Sequence, residues 1–333
     1  MASPQPSNIP GFRLQGTDGI RRETKLSSHP GLHGITPQEA FLEHGLITEQ
    51  FLELYAFTYL KHLAEIGEME KGAAMVVGWD PRDKKGDFVT AVVQGLQKAG
   101  TCVFVLGIVP TPLVSLFMQY KNAKSGFMIT ASHNLKDQNG IKIFCDYRGM
   151  KLLPENDIQF TRKILRENYR SLAPLPLKGK LFNCRKEALE LFSGFSLAAE
   201  NLWAHPRAEK SIFKKITIVV DPANGSLTGI AADIFRKAGF GKVIEVNGKL
   251  NGSVNQLSGV EDLEGHKSIP AMMVERGAGL FQKHQAILKL FELGRRHKTK
   301  IVKGEQRVCG ASGERLSRKW KLSSTKPTVV GWK

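Results

Sequence analysis

No aspartate follows Asp262 in this chain of 333 residues. A late loop of clustered aspartates, of the kind that holds a hard divalent cation, is therefore excluded beyond that point. Cysteine is also scarce. The four are Cys102, Cys145, Cys184 and Cys309, and none forms a CxxC pair, so neither a zinc ribbon nor a redox dithiol is indicated. Cys102 and Cys145 stand in apolar runs, as buried free thiols do, and a reducing cytoplasm suits the set. The opening "MASPQPSNIPGF" has no basic segment and no apolar core, so it does not read as a secretory signal. Long apolar runs are missing too. The most apolar stretch, "TCVFVLGIVPTPLVSLFM" at 101–118, is divided by Pro110 and Pro112. That suits a buried strand followed by a helix start and not a membrane span.

What is present is a chain with 41% apolar residues, enough for packed cores in two or three domains. The formal charge of +17 invites a nucleic-acid reading. Its distribution opposes one: residues 294–333 hold 12 Lys and Arg against 2 acids, a net of +10, and the rest carry +7. Most of the positive charge is a tail and not a face of the folded body. That tail has only Trp320 and Trp332 as aromatics and no nucleic-acid-binding motif.

An internal echo organises the chain. "MVVGWDPRDKKGDFVTAVVQGLQKAGTCVFVLG" at 75–107 and "ITIVVDPANGSLTGIAADIFRKAGFGKVIEVNG" at 216–248 both read as strand, Asp-Pro turn, helix, Lys-Ala-Gly, strand. Each is a βαβ element with a glycine at the expected helix stop. The fold class expected is α/β: two related α/β domains, mixed sheets covered by helices, then a disordered basic tail. The domains expected are 1–170 and 181–303, with the tail at 304–333 and "SLAPLPLKGK" at 171–180 as the connection. Within the first, the pattern predicts helices near 47–66, 87–99, 111–122 and 155–169. Strands are predicted near 75–80, 101–106, 126–130 and 141–145. Asp80 and Asp221 are expected to cap the helices that follow them.

The chemistry concentrates in "ITASHNLKDQNGIKIF" at 129–144. Ser132 lies just past a predicted strand end, where ligands bind in open α/β sheets. A serine hydroxyl is a poor nucleophile and needs help. His133 adjoins it, Asn134 and Asn139 can bend the backbone, and Gly140 permits a tight return. Lys142 follows ten residues on and offers a cation if the hairpin folds back. Thr130 is expected to point away from the loop. The set suits a serine that carries a phosphoryl group. By themselves the same residues fit a plain polar hairpin turn equally well.

"TASHN" followed by "NGIK" resembles the active-site serine loop of the α-D-phosphohexomutase superfamily, the phosphoglucomutases and phosphomannomutases. "GTDGIRR" at 16–22, "GWDPR" at 78–82, "GIVPTP" at 107–112 and "DPANGS" at 221–226 resemble further segments of that family in order, over roughly 11–260. One departure is Leu135, where the family usually has proline. The resemblance implies that Ser132 is a phosphoserine. It would donate its phosphoryl group to a hexose phosphate, glucose or mannose, by way of a hexose 1,6-bisphosphate. His133 and Lys142 would assist proton transfer and phosphate charge, and Arg21 would help hold the phosphoserine. Mg²⁺ would be the cofactor, contacting Ser132 through its phosphate. On the residues alone, Arg21 and Arg82 also read as surface salt-bridge partners.

No Asp-Gly-Asp-Gly-Asp-Arg stretch occurs in the sequence, and the family's two later domains are expected to be missing. Composition turns to Ser, Gly, Arg and Lys after about Lys303. The expectation is a truncated or frame-shifted product of a phosphohexomutase gene, poorly soluble and inactive alone. The alternatives are a non-catalytic sugar-phosphate-binding fragment and a basic nucleic-acid-binding protein acting through 295–333.

Overall fold

Thr48 accepts a hydrogen bond from the Phe51 N–H and starts a helix of 17 residues, the longest among the described residues, whose buried side chains reach from Phe51 to Leu63. In the computed structural model, described residues are 11–16, 19–70, 72–145, 149–198, 213–259, 274–275, 280–297, 301–303 and 328–332. They fall into two units, one of residues 1–194 with 251–253, the other of 195–250 with 254–333.

The first unit is built on a seven-stranded mixed sheet. In chain order its elements are β1 (Ile20–Thr24), α1 (Pro37–Leu42), β2 (Leu46–Ile47), α2 (Glu49–Glu65), β3 (Ala74–Trp79) and α3 (Asp87–Lys98). They continue with β4 (Cys102–Ile108), α4 (Thr111–Lys121), β5 (Ser125–Ile129), β6 (Gln138–Phe144), α5 (Pro154–Arg166), α6 (Tyr169–Leu172), β7 (Leu181–Asn183) and α7 (Arg185–Leu197). The strand order is β2-β1-β6-β5-β3-β4-β7, and β6 runs antiparallel to both of its neighbours.

Alternation along the strands sorts side chains into two cores. Met75 and Val77 of β3 and Phe127 and Ile129 of β5 face a core shared with α2, α3 and α5. Val76 and Met128 face the opposite core, shared with α4 and α7. Helices thus cover both faces. The stretch 101–118 resolves as β4 and α4, with Pro110 and Pro112 at the helix start. Among the described residues no helix is long and apolar enough to cross a membrane.

The expected break at 171–180 does not end the first unit. Leu181 and Phe182 pair with Val103 and Phe104, so β7 extends the first sheet at its edge. Cys184 and Ala188 then pack into the second core. The Phe104 and Phe182 ring centroids lie 5.6 Å apart with the rings tilted by 48°, a contact that sequence spacing does not show.

The second unit has the strand order β10-β11-β8-β9, all parallel. Its elements are β8 (Ile216–Val220), α8 (Ile230–Lys237), β9 (Lys242–Glu245), α9 (Gln285–His297), β10 (Ile301–Lys303) and β11 (Thr328–Trp332). Ile218 and Val220 pack with Phe235 of α8, and Val219 packs with Leu293 of α9. The βαβ echo is real as a backbone pattern: β3-α3-β4 and β8-α8-β9 are both parallel pairs joined by a helix. Of the tail expected to be unordered, 328–332 form β11, in keeping with the β-branched Val329 and Val330. Residues 304–327, including Cys309, lie outside the described residues, as does Asp262.

Candidate active site

Three quoted segments converge at the carboxyl ends of neighbouring parallel strands. Asp80 follows β3, Thr130 follows β5, and Pro110 lies two residues past β4. The Asp80 N–H donates to Ile129 O at 3.0 Å, and the Val109 N–H donates to Trp79 O at 3.1 Å. The 130–137 loop therefore sits on the sheet edge where open α/β folds bind ligands.

Ser132 occupies the left-handed region, with φ of 55°. A non-glycine residue held there costs roughly 1 kcal/mol or more and persists only when its surroundings enforce it. The enforcing groups are visible. The Ser132 N–H donates to Thr130 Oγ1 at 2.9 Å. Thr130 Oγ1 in turn donates to Asp80 Oδ2 at 2.6 Å. On the other side of the residue, Arg82 Nη2 donates to the Ser132 carbonyl at 2.8 Å and to the Asn134 carbonyl at 2.5 Å. Arg82 Nη1 donates to Asp80 Oδ2 at 2.5 Å, and Arg82 Nε reaches the Leu135 carbonyl at 3.4 Å.

These contacts correct three expectations. Asp80 does not cap α3. Gly86 stands at that N-cap without a side-chain bond, and Asp83 accepts from the Val89 N–H at 2.7 Å. Asp80 instead folds its own turn, accepting from the Arg82 N–H at 3.0 Å. Asp221 does the same in the second unit, accepting from the Ala223 N–H at 2.8 Å and Asn247 Nδ2 at 3.1 Å. Asx turns of this kind compete with helix capping for the same carboxylate. Thr130 does not point away; its hydroxyl is buried under the loop. Arg82 is no surface partner, since its side chain is 2% exposed against 5% for Asp80.

Of the residues singled out from the sequence, Arg21 meets the loop: its Nη1 donates to Asn134 Oδ1 at 3.3 Å. Asn134 Nδ2 donates onward to Gln138 Oε1 at 2.7 Å. His133 follows Ser132 directly and is exposed. Lys142 is placed differently. It pairs across the ladder with Met128, below the loop, and lines a cavity of about 210 Å³ with Arg13, Gln15, Lys151 and Asp157. No residue of the 130–137 loop lines that cavity. Burial pushes the Asp157 carboxyl above its ordinary range, against the hydrogen bond from Gln15 and the nearby Arg13 charge. Gly140 lies inside β6 and not in a turn. A Cβ there would meet Ile20 O at 1.9 Å, so its role is to let β1 cross closely and bring Arg21 to the loop.

Missed in the sequence were Asp80, Arg82 and Thr130 as one network. The signal was the Asp-x-Arg spacing at one strand end beside a Thr at another. Among the described residues no group of three or more His, Cys, Asp or Glu is placed to hold a metal. Asp80, the carboxylate under the loop, already accepts from Arg82 and Thr130. These residues do not fit Mg²⁺.

The first unit is thus a helix-covered mixed α/β sheet with a constrained serine loop at the carboxyl edge of its parallel strands. Residues 13–170 match the family model described as phosphoglucomutase/phosphomannomutase, alpha/beta/alpha domain I. The chain is 31% identical over 214 residues to a phosphoglucosamine mutase of Prochlorococcus marinus (strain AS9601), covering 63% of this chain and 44% of that protein. It is 32% identical over 268 residues to the phosphoglucosamine mutase of Thermobifida fusca (strain YX), covering 80% and 51%. A solved structure of a phosphoglucomutase/phosphomannomutase family protein from Burkholderia thailandensis is similar with a TM-score of 0.49 and 19% identity, covering 77% of this chain and 49% of that one. Residues 13–170 belong to domain I of the phosphohexomutase superfamily. The chain spans about half the length of the curated relatives it matches.

Proposed function

We propose that Ser132 is a phosphoryl carrier in reversible transfer between the 1- and 6-positions of a hexose phosphate, through a hexose 1,6-bisphosphate. The observation carrying this reading is the setting of Ser132: a serine in a left-handed conformation at the carboxyl edge of the sheet, both of its peptide groups tied down. Such a backbone fixes the Cα–Cβ bond and limits the hydroxyl to a few staggered positions, which favours in-line transfer. In the forward step the bond from Ser132 Oγ to phosphorus breaks. A bond from a free sugar hydroxyl oxygen to the same phosphorus forms. The sugar proton leaves to a base, and the serine oxygen takes one up. His133, exposed beside Ser132, is the proton carrier in this reading. Arg21, which reaches the loop at Asn134, supplies positive charge toward the phosphate, and Lys142, below the loop on β6, adds its charge from farther away. Glucose and mannose phosphates are the substrates first in line, and the names of the curated relatives add glucosamine phosphate.

Mg²⁺ belongs to the resemblance and not to any carboxylate set among the described residues. That same observation favours a second reading, a sugar-phosphate-binding protein without turnover. On that second reading, isomerisation by these 333 residues alone is undetectable. Incubation with ³²P-labelled hexose 1,6-bisphosphate separates the two. Acid-stable label on Ser132 supports the carrier. Saturable binding without label supports the second reading. Neither label nor binding sinks both.

A further inference from the structure

Asp80 is the common anchor of two arms that end on the same residue. One arm runs from its Oδ2 through the Thr130 hydroxyl to the Ser132 N–H, at 2.6 and 2.9 Å. The other runs from the same oxygen through the Arg82 guanidinium to the Ser132 carbonyl, at 2.5 and 2.8 Å. Ser132 is thus gripped on both sides of its Cα, and its φ of 55° is the conformation that both arms fit. Arg82 spends four of its five N–H donors on Asp80 and on the carbonyls of Ser132, Asn134 and Leu135. Its side chain is 2% exposed, so the one remaining donor has no open face with which to grip a phosphate. The charge of Asp80 offsets that of Arg82, so the pair can sit beside an anionic group without adding net charge.

We propose that Asp80, Arg82 and Thr130 are positioning residues that set the direction of the Ser132 hydroxyl by clamping its peptide groups, and that none of the three touches substrate. This rests on the reading of Ser132 as phosphoryl carrier for its consequence, but the clamp is testable without it.

The discriminating pair is Thr130→Val, which removes only the hydroxyl, and Thr130→Ser, which restores it. Both are made in the full 333-residue chain. Arg82→Lys is the second arm's variant, because an ammonium cannot bridge one carboxylate and three carbonyls at once. Two readouts are taken. Amide hydrogen exchange at Ser132 should be about tenfold faster in Thr130→Val, the size expected for one lost buried hydrogen bond, and near the parent value in Thr130→Ser. Phosphate uptake from hexose 1,6-bisphosphate should fall about a hundredfold in Thr130→Val and Arg82→Lys, with the bisphosphate half-saturation concentration unchanged, since misplacement and not binding is affected. Parent-like exchange at Ser132 in a folded Thr130→Val overturns the proposal. So does a raised half-saturation concentration at unchanged maximal rate, which makes Arg82 or Thr130 a substrate contact. If Arg82→Lys fails to fold, the threonine pair decides. If the parent takes up no phosphate on Ser132, the carrier reading fails, and the exchange data alone sustain or overturn the clamp.

Discussion

Arg82 and Ser132 stand fifty residues apart in the chain, and Arg82 Nη2 donates to the Ser132 carbonyl at 2.8 Å. A buried arginine is retained only where its charge is matched and its donors are used. Here the carboxylate of Asp80 matches it and three loop carbonyls use it. The ion pair alone is weak grounds for stability. Its consequence is a loop with one shape.

Ser132→Ala should abolish acid-stable phosphate incorporation from hexose 1,6-bisphosphate while leaving the melting temperature close to the parent's. The hydroxyl of Thr130 cannot substitute, because it is committed to Asp80 and to the Ser132 N–H. Peptide mapping of the labelled chain checks this, and label persisting in the variant counts against the assignment.

Lys142→Met should lower the rate of phosphate uptake by about a hundredfold, the order expected for losing one charge stabiliser. The placement of Lys142 along the cavity with Arg13, Gln15 and Asp157 supplies the competing outcome. A normal maximal rate with weaker half-saturation would make it a binding residue of that cavity. Steady-state labelling at several bisphosphate concentrations distinguishes the two.

Gly140→Ala should destabilise the first unit by roughly 1–3 kcal/mol, the range for inserting a methyl into a filled space. The methyl would meet Ile20 O at 1.9 Å and Arg21 Cα at 3.0 Å, both backbone atoms that cannot rotate aside. Strand β1 must then move off β6, taking Arg21 away from Asn134. Urea denaturation of the variant checks the expectation, and an unchanged midpoint would refute it.

His62→Phe should flatten the acid side of the stability profile. His62 is buried in α2 against the Phe160 ring, and neither ring nitrogen has a hydrogen-bond partner. Burial lowers its pKa in the folded state, with the Lys163 charge adding to the shift and Glu65 and Glu68 opposing it. The unfolded chain therefore binds the proton first. Stability is intact above the ordinary imidazole value of about 6.5 and is lost as pH falls through the lowered folded value. Removing the imidazole removes that loss. Denaturation at pH 7.5 and pH 5, as chosen conditions, should show parent and variant converging at the higher pH, with the variant the more stable at the lower. Equal pH dependence would show that His62 does not titrate with unfolding.

The strongly periodic elements were legible. Strands expected near 75–80 and 126–130 form at Ala74–Trp79 and Ser125–Ile129, and the helix expected near 87–99 forms at Asp87–Lys98. Elements whose identity lies in their partners were not. β2 is two residues long, and β1 reads "IRRET", with no sustained apolar alternation. Each is a strand because of what it pairs with. The same holds for β7, whose exposed Leu181 and Phe182 gave no hint of membership in the first sheet.

Local sequence determined where Ser132 would stand: β-branched and apolar residues run to Ile129, and a polar loop follows, at a strand's carboxyl end. It also determined the Asp-Pro-Arg turn after β3, because a carboxylate two residues before a backbone N–H folds on itself without outside help. What only the tertiary structure decided is that these two segments meet. Parallel pairing of β3 with β5 sets Asp80 beside Thr130. A parallel neighbour is reached only through a crossover, here by way of β4 and α4, and no local pattern encodes which strand lies next to which. The left-handed Ser132 and the buried Arg82 follow from that adjacency, since each is stable only when the other is in place.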